Sequence, residues 1–279
     1  MSSFCFILTE QCDWDCEYCE FPLIQKPKHT TIETLSKHLP YIKKTMDKMG
    51  NFIDFLSVDG GELGLLPVET LEYFFKTIDH PMVVCTNGEF IRKGYVYRFR
   101  DYITEVWYHA SLEETIIYID DIIKTGIVHN DVDELIRFII EHPYIDLDYV
   151  ELEFDVTKKR DVDYSMYEKL YNNIKPLSNV SKKAKKIVES RITELRNLRK
   201  MCADYNSTIV VDLINERIPL CHRSQKSYIQ LNETNFKYRL THFPLKIYKE
   251  NNCQTCTRLF ANKFNPLTFS DIYELRKIL

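Results

Sequence analysis

Short apolar runs alternate with longer amphipathic stretches along the first half of the chain. Phe4–Leu8 (FCFIL) reads as a strand, and Thr30–Met49 as a helix capped by Thr30 or Thr31 ahead of Glu33. Phe52–Val58 is a predicted strand, Val68–Ile78 a helix and Met82–Cys85 a strand. Ile91–Phe99 reads as helical, Glu105–Ala110 and Thr125–His129 as strands, Val132–His142 as a helix and Tyr149–Val156 as a strand. Six strands with intervening helices predict a parallel α/β sheet or barrel.

The pattern changes near Ser178. Asn179–Lys200 is a long charged helix, and "STIVVDLINERIPLC" then reads as a β-hairpin turning at Asn215-Glu216. The expected division is 1–178 for the strand–helix region and 179–279 for the rest. No internal repeat or low-complexity segment interrupts it.

Composition narrows the function classes. The chain has 279 residues, 44% hydrophobic and 28% charged, as in an ordinary globular protein. A net charge of -4 names neither nucleic acid nor a membrane surface as partner. The 18 tyrosines form no RNA-binding motif, and the basic stretch Lys182–Lys186 reads as a solvated helix face, the alternative being a hold for an acidic peptide or another anionic partner. The first residues lack a basic region ahead of an apolar run, so no signal peptide is expected, and no apolar stretch reaches spanning length. A cytoplasmic protein is expected. Nine cysteines in that reducing setting point to metal or redox chemistry.

Three of the nine, Cys12, Cys16 and Cys19, lie in one loop after the first strand, spaced C-x3-C-x2-C. Structural zinc takes four ligands, usually in two separated pairs. Three cysteines would instead leave one iron of a cubane cluster without a protein ligand, the open position a catalytic metal needs. Other signals also fall at predicted strand ends: "VDGGELGLL" with Gly60, Gly61 and Glu62, "VVCTNG" with Asn87, Ser111 after the fourth strand and "GIVHN" with Asn130. Parallel barrels collect their active sites at the C-terminal ends of the strands.

These motifs, in this order, resemble the radical SAM superfamily. The resemblance implies a partial (β/α)6 TIM-like barrel. It implies a [4Fe-4S] cluster on Cys12, Cys16 and Cys19, with S-adenosylmethionine (AdoMet) on its open iron. Tyr18 stands at the aromatic position common in that loop. Gly60 and Gly61 would face the methionine amino group, with Glu62 as a possible acceptor, although Leu63 replaces the usual proline. Asn87, Ser111, Asn130 and Glu153 or Asp155 are the further expected AdoMet contacts. The acidic residues of "VELEFDV" are equally well read as ordinary strand alternation.

Cys202, Cys221, Cys253 and Cys256 form a second set, spaced C-x18-C-x31-C-x2-C. Cys202 and Cys221 bracket the hairpin. This resembles the twitch or SPASM region of radical SAM enzymes and implies a small C-terminal α+β region with a second, auxiliary [4Fe-4S] cluster. Structural zinc is the alternative for four cysteines ending in C-x2-C. Cys5 and Cys85 are expected in the core as small hydrophobes, with Cys85 also near the active end of its strand.

The resemblance implies reductive cleavage of AdoMet and abstraction of a substrate hydrogen. The expected substrate is a ribosomally made peptide, modified by epimerisation or cross-linking, with L-to-D epimerisation slightly favoured. A small-molecule dehydrogenase or rearrangement enzyme is the alternative. An external electron donor of flavodoxin or ferredoxin type is expected. With Cys12 so early, a leader peptide is expected to bind the barrel mouth, the Asn179–Lys200 helix or a separate partner.

Overall fold

A computed structural model describes residues 2–14, 27–109, 124–129, 131–152, 164–196, 208–221, 224–241 and 269–279. Its centre is a parallel sheet. The strands β1 (Ser2–Thr9), β2 (Ile53–Gly60), β3 (Met82–Thr86), β4 (Ile103–His109), β5 (Lys124–His129) and β6 (Leu147–Leu152) lie side by side in chain order. Between them come α1 (Ile32–Met49), α2 (Val68–Ile78), the short α3 (Glu89–Arg92) and α4 (Tyr95–Arg98), and α5 (Val132–Glu141). All six strands were legible as apolar runs, and α2 has the bounds that the sequence predicts.

Local chemistry sets the helix ends. Thr31 caps α1 by accepting a hydrogen bond from the Thr34 amide at 3.2 Å. Asp131 caps α5 by accepting from the amides of Asp133 and Glu134. The predicted helix over 91–99 is instead two short ones. Gly94 lies between them at φ 71°, a conformation that ends one turn and starts another.

Helices cover one face of the sheet. Phe4, Phe6 and Leu8 of β1, Leu56 and Val58 of β2, and Val84 of β3 pack with Leu39, Ile42, Leu71 and Phe74 of α1 and α2 in one core. Alternation sends Cys5 and Ile7, Ser57, Val83 and Cys85, Glu105 and Trp107, and Tyr149 and Glu151 to the other, inner face. Cys5 is buried there with Ile7 and Val210, whereas Cys85 is only half-buried and so is not a core residue.

The second half of the chain continues this architecture. Helix α6 (Tyr164–Ile174), which the sequence reading leaves unassigned, buries Tyr167, Leu170 and Ile174 against α5 and β6. Helix α7 (Lys182–Arg196) starts at Ser181, whose Oγ accepts from the Ala184 amide. Val180, Ala184, Val188 and Ile192 join the same cluster. The expected boundary at 178 therefore falls within described packing: Asn179 and Ser181 hydrogen-bond the backbone of Leu147 in β6.

The hairpin, β7 (Thr208–Asp212) and β8 (Arg217–Cys221), turns at residues 213–216 as predicted. Its partner was not predicted. β7 adds to β1 in parallel, and β8 and β9 (Ser224–Gln230) extend the same sheet antiparallel, giving the order β6-β5-β4-β3-β2-β1-β7-β8-β9. Helices α8 (Glu233–Thr241) and α9 (Phe269–Ile278) return to the main core through Phe236, Leu240 and Leu275. Among the described residues no helix is long and apolar enough to cross a membrane.

Candidate active site

The cysteine loop leaves β1 at Thr9 and returns at Thr30. Its neck is closed by backbone hydrogen bonds, Glu10 N to Lys28 O and Thr30 N to Leu8 O, both 2.8 Å. The Glu10 carboxylate also accepts from the Lys28 amide. Cys12 sits half-exposed just past this neck. Cys16, Tyr18 and Cys19 lie outside the described residues.

The glycine pair after β2 packs against that loop. The Gly61 amide donates to Thr9 O and the Glu62 amide to Gln11 O, both at 2.7 Å. A Cβ at position 61 would stand 2.1 Å from Gln11 O, and one at position 60, where φ is 124°, 2.5 Å from Thr9 O. The glycines are therefore required by the approach of two backbones, β1 loop to β2 loop.

Glu62 joins the second loop to the third. It is 1% exposed. Its carboxylate accepts from the amides of Gly64 (2.7 Å), Asn87 (2.8 Å) and Phe90 (3.0 Å) and from the Thr86 hydroxyl (2.9 Å). Four donors match the roughly four lone-pair sites of a carboxylate, so Glu62 acts on the site by holding two loops together. Burial pushes its carboxyl above the ordinary range, against the pull of these hydrogen bonds. Thr86, which the sequence reading did not single out, is part of this bracket. Its signal was its place beside Asn87 in "CTNG".

Asn87 brings the third loop to the first. Its Nδ2 donates to Asp13 Oδ1 at 2.8 Å and lies 3.7 Å from Cys12 Sγ. Its own amide and Oδ1 are fixed by Glu62 and by the Glu89 amide. The structure thus gathers Cys12, Gly60, Gly61, Glu62 and Asn87 at the C-terminal ends of β1, β2 and β3. A sulfur at a strand end facing an amide N–H suits a thiolate ligand, because a hydrogen bond to the charged form favours it. Ser111, Asn130, Glu153 and Asp155 lie outside the described residues. So do Cys202, Cys253 and Cys256. Cys221 ends β8, where its backbone pairs with Ser224.

The inner face beside this junction carries Trp107. It stacks on Tyr149, with centroids 4.0 Å apart, and its Nε1 donates to Glu105 Oε2 at 2.9 Å. Lys183 of α7 pairs with the other oxygen of Glu105, and Arg191 of α7 with Glu151 of β6. Sequence reasoning gave none of these groups a place at the site, and Lys183, read there as part of a solvated helix face, instead pairs with buried Glu105.

No family model matches the chain, and no curated protein matches it. Solved structures do. Polyhistidine-tagged anSMEcpe with bound AdoMet superposes at a TM-score of 0.57 and 12% identity, over 91% of this chain and 81% of that one. Native anSMEcpe with bound AdoMet and the Cp18Cys peptide gives 0.56 and 11%, over 99% and 96%. Native anSMEcpe with bound AdoMet gives 0.54 and 11%, over 98% and 95%. The chain shares their fold. It is the mixed α/β architecture with a parallel sheet that the strand–helix alternation predicts, and its first-loop cysteine and glycine edge lie together at the strand ends.

Proposed function

We propose that the chain is a radical SAM enzyme acting on a peptide. The observation that carries this reading is the junction at the strand ends. Cys12 lies beside the Asn87 amide, on a platform formed by Gly60, Gly61 and the Glu62 bracket. Cys12, with Cys16 and Cys19 seven residues or fewer further on, would hold the [4Fe-4S] cluster. When bound, that cluster supplies the electron for reductive cleavage of AdoMet to a hydrogen-abstracting 5'-deoxyadenosyl radical.

The chain's own residues do the rest. The Asn87 amide holds Cys12 and Asp13 together and stabilises sulfur negative charge. The β2 edge, pinned through Gly61 and Glu62, presents backbone to the AdoMet side of the loop. Tyr18, Ser111, Asn130 and Glu153 complete the AdoMet site in this reading. Cys202, Cys221, Cys253 and Cys256 hold a second cluster. The peptide bound in one anSMEcpe structure supports a peptide substrate here, with a residue epimerised or cross-linked after hydrogen abstraction. Electrons come from a flavodoxin or ferredoxin in the cytoplasm.

The test is anaerobic reconstitution of the wild type and of the Cys12→Ala/Cys16→Ala/Cys19→Ala variant. Iron and sulfide are counted, and 5'-deoxyadenosine is measured after addition of reductant and AdoMet. Iron for two clusters in the wild type, for one in the variant, and nucleoside only from the wild type is the expected result. Absence of iron and nucleoside from the wild type overturns the reading. Zinc in place of the second cluster's iron makes the C-terminal set structural. Solvent deuterium gained by a peptide that is otherwise unchanged in mass identifies epimerisation, whereas a two-electron oxidation of a small molecule points to dehydrogenation.

A further inference from the structure

The turn between β7 and β8 braces itself. Buried Asp212 accepts from the Ile214 and Asn215 amides through Oδ1, and from Asn215 Nδ2 and Arg217 Nε through Oδ2. Glu216 takes a positive φ of 49° and pairs with Lys37 and His38 of α1. The backbone is thus held from both sides.

From this fixed position the turn reaches β1 once and the neck of the cysteine loop twice. The Leu213 amide donates to Ile7 O, and the Thr30 hydroxyl donates to Leu213 O, each at 3.1 Å. Asn215 Nδ2 donates to Glu10 Oε1 at 3.2 Å. Glu10 stands two residues before Cys12, and its other oxygen holds the Lys28 amide on the returning limb. The Asn215 amide group carries two N–H donors on one nitrogen. It therefore bridges two carboxylates, Asp212 and Glu10, which no hydroxyl or acid at that position would do.

We infer that Asn215 and Glu10 form a clamp by which the β7–β8 turn positions the neck of the cysteine loop. Both are positioning residues: they act on the ligand loop through its two limbs. The clamp makes the C-terminal half of the chain a structural part of the N-terminal metal site. The inference deepens the radical SAM reading and rests on it for its metal arm only.

The test uses full-length chain carrying Asn215→Ala, Glu10→Ala, both together, or Ser181→Ala as a control that removes the α7 cap away from the loop. The first readout is hydrogen exchange at the Glu10, Lys28 and Thr30 amides in metal-free protein. The second is the rate of iron loss to a chelator after reconstitution, with the reduced-cluster electron paramagnetic resonance spectrum. Asn215→Ala is expected to speed neck exchange and iron loss about fivefold, the loss of one net hydrogen bond to the neck, and Glu10→Ala, which also takes the acceptor from the Lys28 amide, more than that. The double variant is expected to be no worse at the neck than Glu10→Ala, because the contact that Asn215 makes there is already lost in that single variant. Ser181→Ala is expected to lower the melting temperature and leave both readouts unchanged. Unaltered neck exchange in Asn215→Ala, or full additivity in the double variant, overturns the clamp. If the wild type takes up no iron, the radical SAM reading fails, and neck exchange alone decides the clamp.

Discussion

Trp107 and Tyr149 lie face to face, with ring planes 2° apart and centroids 4.0 Å apart, although β5 runs between their strands. The register explains how. Trp107 pairs with Gly126, and Gly126 pairs with Tyr149, so the strand between them carries no side chain at that level. Phe55 of β2 stacks on Trp107 at 5.6 Å. Three rings from β2, β4 and β6 thus line one level of the inner face, as alternate strands fill the layers of a barrel. Glu105 holds the indole N–H, and Lys183 holds Glu105.

Gly126→Val is expected to separate the two rings. An aromatic pair contributes about 0.5–1.5 kcal/mol beyond its burial, and forcing a branched side chain into packed space costs about 1–3 kcal/mol. The near-ultraviolet circular dichroism of the stacked indole should collapse, with a fall in urea midpoint. An unchanged near-ultraviolet spectrum would show that the glycine does not make room for the stack.

Gly61→Ala places a methyl group on Gln11 O, which backbone cannot yield without moving. The expected result is a chain destabilised by about 1–3 kcal/mol whose β2 edge has shifted from the Cys12 loop. Calorimetric titration with AdoMet should show binding weakened more than tenfold in reconstituted protein. Wild-type affinity in a folded Gly61→Ala variant would remove the edge from the proposed AdoMet site.

The contrast between what was and was not legible follows from sequence distance. The strands show as apolar runs because a strand covered on one face and lining a site on the other carries little charge, as in "FCFIL". The strand-end motifs were legible because Cys12, Gly60, Gly61 and Asn87 each stand beside such a run. Pairings were not. Thr86 and Glu62 meet only because β2 and β3 are neighbours, and Trp107 and Tyr149 meet only at one register. A slip of one residue would turn either ring to the other face. Helix α6 escaped notice because its three buried positions, Tyr167, Leu170 and Ile174, are spread among polar residues. The hairpin was visible, but its docking against β1 through Cys5, Ile7 and Val210 was not.

Glu62 gives a pH dependence with a definite sign. Burial raises its folded-state pKa above the ordinary 4.5. The folded chain then binds this proton more tightly than the unfolded chain. The stability contributed by the protonated group is full below pH 4.5 and is lost as pH rises through the raised value. Unfolding free energy should therefore fall with rising pH more steeply in the wild type than in Glu62→Gln, which has no such titration. Urea titrations of both proteins at a series of pH values from 4.5 upwards measure the difference. A difference that grows in the wild type's favour with pH would mean that the four hydrogen bonds outweigh burial.

Arg191 and Glu151 tie α7 to β6 inside the fold, at 2.6 Å, with residue exposures of 5% and 8%. A buried ion pair contributes little over a well-packed apolar pair, because desolvation offsets the attraction, yet removing one partner costs about 3–5 kcal/mol. Arg191→Met takes the guanidinium away from a buried carboxylate and should lower the unfolding free energy by about that amount. Adding Glu151→Leu removes the remaining charge and should recover most of the loss, with a coupling energy of about 2 kcal/mol or more in the double-mutant cycle. Urea unfolding of the four proteins measures it. Recovery would show that the loss in Arg191→Met comes from the carboxylate left unpaired, and that the apolar face of α7 holds the helix to the sheet without the ion pair. A double variant as unstable as the sum of its singles would show that Arg191 and Glu151 do not stabilise each other.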